Sequence, residues 1–91
     1  MAEVVITLKI MPEGVDSNLE TIEKNAKEKI SKFGGEVGKV NINEVAFGLK
    51  SVELLFVMDE AKGSTEDLEK QIEALDEVNS VEVTDVRRAI G

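Results

Sequence analysis

The chain has 91 residues and a formal net charge of −8, which fits one small acidic domain. It contains no cysteine and no histidine, so disulfides are excluded and the commonest general base and zinc ligands are missing. No apolar run approaches the roughly 20 residues of a membrane span, and the acidic balance disfavours binding to a phosphate backbone. We therefore expect a single cytoplasmic domain over residues 1–91, with no cofactor, no metal site and no direct nucleic-acid partner.

The N-terminal third predicts a strand followed by a helix. Apolar side chains alternate with others over residues 3–11, which is typical of a half-buried strand, and Pro12 and Gly14 end it. Ser17 with Glu20 predicts a capping box, or Asp16 is the N-cap instead. Gly34-Gly35 predicts the helix end. The apolar positions with helical spacing are Leu19, Ile22, Ala26, Ile30 and Phe33.

The rest of the chain predicts a hairpin, a second helix and a last strand. Strands are expected over residues 40–46 and 50–58, and the short gap at Phe47-Gly48 favours an antiparallel hairpin. Residues 59–63 read as a loop, and Ser64 is the expected cap of a helix whose apolar stripe includes Leu68 and Ile72. A turn over residues 76–79 precedes a strand that opens at Val81.

The element order βαββαβ predicts an α+β ferredoxin-like plait, with a four-stranded antiparallel sheet and two helices on one face. The other sheet face is then uncovered. Its apolar centre would be either ordinary surface or a docking or dimer surface. The residues expected on that face are Val5, Thr7, Lys9, Glu53, Leu55, Val57, Glu82 and Thr84.

The sequence offers no catalytic constellation. No serine has a histidine to activate it, and no glycine-rich loop has phosphate-binding spacing. Paired carboxylates such as Asp59-Glu60 fall in predicted turns, where acids are usually just solvated. More than half of the acidic residues lie between Asp59 and Asp85, which favours a protein partner with a basic surface or serves only solubility.

The segment Ala46-Phe47-Gly48-Leu49-Lys50 is the strongest candidate for a binding site. Phe47 is one of only three phenylalanines, and a tight turn leaves its side chain near water rather than in a core. Simpler interpretations stand beside this one. Phe47 could fold back onto the hairpin, Gly48 could serve only turn geometry, and Lys50 could be a solvated strand-edge lysine.

Together with the tail, this segment resembles the guanine-nucleotide exchange domain family of translation elongation factor 1-beta, in its short archaeal form. The resemblance covers nearly the whole chain. Besides the hairpin segment, it rests on the strand end Phe56-Val57-Met58-Asp59-Glu60 and on the valine-rich residues 81–86 with Thr84-Asp85-Val86. As in archaeal members, the chain ends in Asp85-Val86-Arg87-Arg88 followed by small and apolar residues.

The resemblance implies that the chain replaces GDP by GTP on elongation factor 1-alpha as a stand-alone factor, without a chemical step of its own. Eukaryotic members aim a penultimate lysine at the magnesium and phosphate region of the GTPase, whereas this chain ends at the corresponding position, Gly91. Arg87 or Arg88 would then supply a cation, or these arginines could pair with the domain's own acids. The alternative function is a small ligand-binding or assembly module. The expected partner-binding residues are Phe47, Gly48, Leu49, Lys50, Asp85, Arg87 and Arg88.

Overall fold

A computed structural model describes residues 3–63 and 65–89 of the chain. Among these residues, no helix is both long and apolar enough to cross a membrane. The elements in chain order are β1 (Glu3–Pro12), α1 (Leu19–Phe33), β2 (Glu36–Ala46), β3 (Leu49–Asp59), a short 3-10 helix (Glu60–Lys62), α2 (Glu66–Glu73) and β4 (Val78–Ala89).

The strands form one four-stranded sheet in the order β2-β3-β1-β4, and all three pairings are antiparallel. The core lies between this sheet and the helices, because the alternation of β1 and β3 points their larger apolar side chains to one side. This arrangement confirms the predicted ferredoxin-like plait. The core contains Ile6, Leu8, Ile10, Val52, Leu54, Phe56 and Met58 from the sheet, and Ile22, Ala26, Ile30, Leu68 and Ile72 from the helices.

The start of α1 differs from the expected capping box. The N-cap is Asn18, whose Oδ1 accepts a hydrogen bond from the Thr21 backbone N–H at 3.1 Å. Ser17 instead closes the preceding turn, since its hydroxyl accepts from the Gly14 N–H at 3.2 Å. The predicted end is confirmed, because Gly34 follows the helix in the left-handed conformation, with φ of 106°.

Three other boundaries also move. β2 begins at Glu36 rather than near residue 40, because its start pairs with the C-terminal half of β3, with Val37 opposite Phe56. The loop after β3 contains a turn of 3-10 helix, and the N-cap of α2 is Thr65 without a side-chain capping bond. The predicted cap, Ser64, lies outside the described residues. β4 begins at Val78, within the predicted turn.

A β-bulge near Thr84 changes which tail side chains share a face. Leu8 lies opposite Val83 and Thr7 lies opposite Asp85, so Thr84 is the extra residue. Beyond the bulge, alternation places Asp85 and Arg87 on the uncovered face with Thr7. Sequence reasoning placed neither of them there, since a bulge leaves no mark on the alternation of a single strand.

Candidate functional site

The hairpin between β2 and β3 presents Phe47 entirely to solvent. Ala46 pairs with Leu49, so the loop consists of Phe47 and Gly48 alone. Both have positive φ, 53° and 78°, as a type I′ turn requires. The Phe47 side chain is 100% exposed. The predicted hairpin is confirmed, and the alternative that Phe47 folds back onto it is wrong.

A shallow cleft lies beside this turn. It has a volume of about 190 Å³ and is lined by Pro12, Gly14, Val15, Leu19, Gly48 and Lys50. Val15 is 63% exposed. Its Cγ1 lies close to the hairpin, 3.8 Å from the position that a Cβ would occupy on Gly48. Leu49 is half-buried and Lys50 is exposed. Phe47 therefore stands at the edge of a larger apolar end of the molecule.

Val15 was missed by sequence reasoning. The available signal was a valine between Gly14 and Asp16, in a turn where an apolar side chain has no strand or helix to bury it. Its proximity to Gly48 depends on how β1 and the hairpin lie in the sheet, which the local sequence does not show.

The tail arginines point to opposite faces of the sheet. Arg87 lies opposite Val5 on the uncovered face, and its Nε donates to Asp85 Oδ2 at 2.8 Å. Arg88 lies opposite Val4, which packs against the core.

Arg88 is held by the short 3-10 helix after β3. Its Nε donates to Glu60 Oε2 at 3.1 Å, and its Nη2 makes a second bond to Glu60 Oε1. The hydrogen bond and the negative charge of Glu60 raise the pKa of Arg88. Both arginines thus pair with acids of the domain, as the simpler interpretation predicted, and both remain largely exposed.

The structure does not bring the two groups of predicted site residues together. The hairpin turn lies beyond the Pro12 end of β1, whereas Arg87 and Arg88 lie opposite its first residues. About nine strand residues separate them, which corresponds to roughly 30 Å at 3.3 Å per residue. The longest dimension of the molecule is 42 Å. One ligand-sized site cannot include both groups, but one large protein partner can contact both.

The described residues, 3–63 and 65–89, contain no group of three or more acidic side chains placed to hold a metal ion. The paired carboxylates Asp59-Glu60 have other roles. Asp59 Oδ1 accepts from the Ala61 N–H at 2.9 Å and so caps the 3-10 helix. Glu60 binds Arg88.

Comparison with known proteins places this geometry in a family. The family model described as the EF-1 guanine nucleotide exchange domain matches residues 5–89. Elongation factor 1-beta of Methanothermobacter thermautotrophicus is 40% identical over 88 residues, which span 97% of this chain and 98% of the relative. Elongation factor 1-beta of Methanobrevibacter smithii is 42% identical, with the same coverage of both chains.

Among solved structures, the ACT domain of the GTP pyrophosphokinase of Chlorobium tepidum superposes with a TM-score of 0.61 at 20% identity, covering 89% of this chain and 97% of that domain. At this identity the likeness shows the fold alone. The family model and the near full-length archaeal relatives carry the assignment: this chain belongs to the elongation factor 1-beta family of guanine nucleotide exchange domains.

Proposed function

We propose that this chain is a guanine-nucleotide exchange factor that promotes replacement of GDP by GTP on translation elongation factor 1-alpha. It does so by binding, without a chemical step of its own. Delivery of aminoacyl-tRNA by that GTPase takes place in the cytoplasm, so the proposal also places the chain there. The observation that carries it is the match of the exchange-domain family model over residues 5–89. The fully exposed Phe47 side chain at a two-residue turn adds an apolar group placed to contact the GTPase.

The energetics of exchange call for more than one contact. A factor that prefers the nucleotide-free GTPase must, by linkage, weaken nucleotide binding by the same factor. A thousandfold faster release requires about 4 kcal/mol of differential stabilisation. Burying one apolar side chain such as Phe47 contributes about 2–3 kcal/mol. A second contact must therefore supply the remainder.

The tail is the proposed second contact. An arginine near the magnesium and phosphate region of the GTPase would weaken the hold of magnesium on the nucleotide. Arg88 must first leave Glu60, but an exposed ion pair of this kind is screened by solvent and contributes little to stability. The separation of roughly 30 Å between hairpin and tail suits two different parts of one large GTPase.

Release of a fluorescent GDP analogue from elongation factor 1-alpha, followed by stopped flow, tests the proposal directly. We expect release to accelerate with increasing factor and then to saturate. We also expect association to slow as salt rises, because salt screens the attraction between this chain, with its net charge of −8, and a basic surface of the GTPase. Release that stays unchanged at saturating factor would remove the exchange function and leave the ligand-binding or assembly module as the remaining interpretation.

A further inference from the structure

The uncovered face of the sheet lies apart from Phe47 and Arg88, the two contacts on which the proposed exchange function rests. Both helices lie on the other face, so nothing in the described chain covers it. Its side chains follow three cross-strand rows, each running from β2 through β3 and β1 to β4. The rows are Glu36, Val57, Val5 and Arg87; then Lys39, Leu55, Thr7 and Asp85; then Asn41, Glu53, Lys9 and Glu82.

In the first two rows the centre of this face is largely apolar and its two edges are charged. Val5, Leu55 and Val57 lie on the two central strands and stay half-buried with no cover above them. The edge strands contribute Glu36 and Lys39 on one side, with Arg87 and Asp85 on the other. An apolar centre with a charged rim is the usual composition of a protein interface.

The order of the charges selects the partner. Within one row Glu36 and Arg87 lie at opposite edges, and in the next row Lys39 and Asp85 do the same with reversed signs. A two-fold axis parallel to the strands, between β1 and β3, places β2 of one copy over β4 of the other. Every edge charge in these two rows then faces an opposite charge.

The central strands follow the same symmetry. Lys9 and Glu53 share the third row, so the axis places each over the other in the second copy. The apolar Val5 and Val57 exchange places in the same way and meet at the centre. We propose that the uncovered face is an isologous interface, covered by a second copy of this chain in a symmetric dimer.

The dimensions are compatible with this arrangement. Facing sheets pack about 10 Å apart with their strands rotated by about 30°. The edge strands lie about 7 Å from the axis, so the rotation displaces opposed edge residues by about 4 Å, little more than one residue along a strand. Arginine, lysine and glutamate side chains span that offset. Four strands of five to six residues bury roughly 1,000 Å² in total, which is small for a specific interface and indicates a weak dimer.

One row opposes association. Glu3 lies opposite Asp59 at the end of the face, and the same axis places these carboxylates over each other in the dimer. The net charge of −8 on each copy adds a long-range repulsion. Glu3→Gln should therefore strengthen the dimer, because it removes one carboxylate from each of these two symmetric contacts.

The interface leaves Phe47 and Arg88 accessible but covers Asp85 and Arg87. Phe47 lies beyond the end of the face, and Arg88 shares its register with Val4 on the helix side. Exchange through Phe47 and Arg88 and association through the sheet face are therefore tested by separate variants.

Sedimentation equilibrium between about 1 μM and about 1 mM tests the dimer, because this range matches an interface of this size. We expect the natural chain to self-associate, and Glu36→Lys or Arg87→Glu to weaken association by about tenfold. The double variant, which restores opposite charges at both symmetric contacts, should recover it. Glu28→Lys on α1 is the matched control: it changes the net charge as Glu36→Lys does but lies off the face, so it should not weaken association.

Three results would overturn the dimer. The first is a natural chain that stays monomeric at the highest concentration. The second is a double variant that associates no better than the single variants. The third is that the Glu36→Lys variant accelerates GDP release less than the natural chain does, at concentrations where the natural chain is monomeric. That result would mean that the face binds the GTPase. If GDP release is absent but the charge swap restores association, the dimer stands and the exchange function fails.

Discussion

Two turns of this molecule hold a non-glycine residue at positive φ within the described residues, and they differ in what balances the strain. Glu77, with φ of 69°, lies between α2 and β4. Its carbonyl accepts from the Glu13 N–H at 2.8 Å, and its carboxylate accepts from the Asn18 N–H at 3.2 Å. It thereby ties the β1–α1 connection to the second half of the domain. Phe47, with φ of 53°, has a fully exposed side chain.

A left-handed backbone costs roughly 1–2 kcal/mol for a residue with a side chain. At Glu77 the cost is offset by hydrogen bonds inside the chain, so the left-handed backbone has a structural role. At Phe47 the side chain gains nothing inside the chain. The type I′ turn accounts for the left-handed backbone at Phe47, but it does not account for an exposed phenyl ring at a position that favours asparagine or glycine. The comparison therefore supports the proposal that the Phe47 turn, unlike the Glu77 turn, contacts a partner.

The largest expected effect is the loss of exchange activity in the Phe47→Ala variant. Removing the exposed ring should change the free energy of unfolding by no more than about 0.5 kcal/mol. GDP release should slow by about ten- to a hundredfold, equivalent to about 1.4–2.7 kcal/mol. Phe56→Ala is the core control, because Phe56 is fully buried, and it should cost about 3–5 kcal/mol of stability. Denaturation curves that show equal losses for both variants would contradict the binding role of Phe47.

The opposite pattern is expected for Glu77→Ala. The variant loses the bond to the Asn18 N–H and keeps the left-handed backbone, so stability should fall by about 1 kcal/mol. Exchange at saturating factor should stay unchanged, because Glu77 is not among the proposed contact residues. Urea denaturation and stopped-flow GDP release on the same preparation provide both values. A loss of exchange without a loss of stability would break the distinction between the two turns.

Phe47→Asn should separate stability from function most cleanly. Asn-Gly is the favoured pair of a type I′ turn, so the variant should be more stable than the natural chain by about 0.5–1 kcal/mol. Exchange should nevertheless fall as far as in Phe47→Ala. Gly48→Ala is the matched control, because its φ of 78° strains any side chain and stability should drop. The midpoint of thermal unfolding should therefore rise for Phe47→Asn and fall for Gly48→Ala.

Small stability effects are also expected in the tail. Arg87→Gln and Arg88→Gln should each leave the free energy of unfolding nearly unchanged, since their ion pairs are exposed. Exchange should suffer more from Arg88→Gln. Asp85 lies two residues from Arg87 on the same strand, so its negative charge stays beside Arg87 in any complex. Glu60 lies in the 3-10 helix, so the Arg88 side chain can rotate away from it. Equal exchange rates for the two variants would remove the tail cation from the proposal, and the role of Asp85 stays a prediction.

The amino-acid sequence by itself determined the element order, the core faces and the hairpin. Alternating apolar positions in β1 and β3 specify a face because side chains on a strand have a period of two. Helical spacing did the same for the stripe that includes Ile22 and Ile30, and Phe47-Gly48 marked the turn through its position between two strands. These are local properties, so one sequence is sufficient to predict them.

Tertiary structure alone decided where those pieces meet. The N-cap falls on Asn18 rather than Ser17, and the Asn18 N–H meets a glutamate 59 residues away. The bulge at Thr84 shifts the pairing of β4 with β1 and thereby decides that Arg87 lies on the uncovered face and Arg88 on the helix side. The antiparallel pairing of distant strands also sends the hairpin and the tail to opposite ends of the sheet. Each outcome depends on contacts between remote segments, and their register is set by the packing of the whole core rather than by any local pattern.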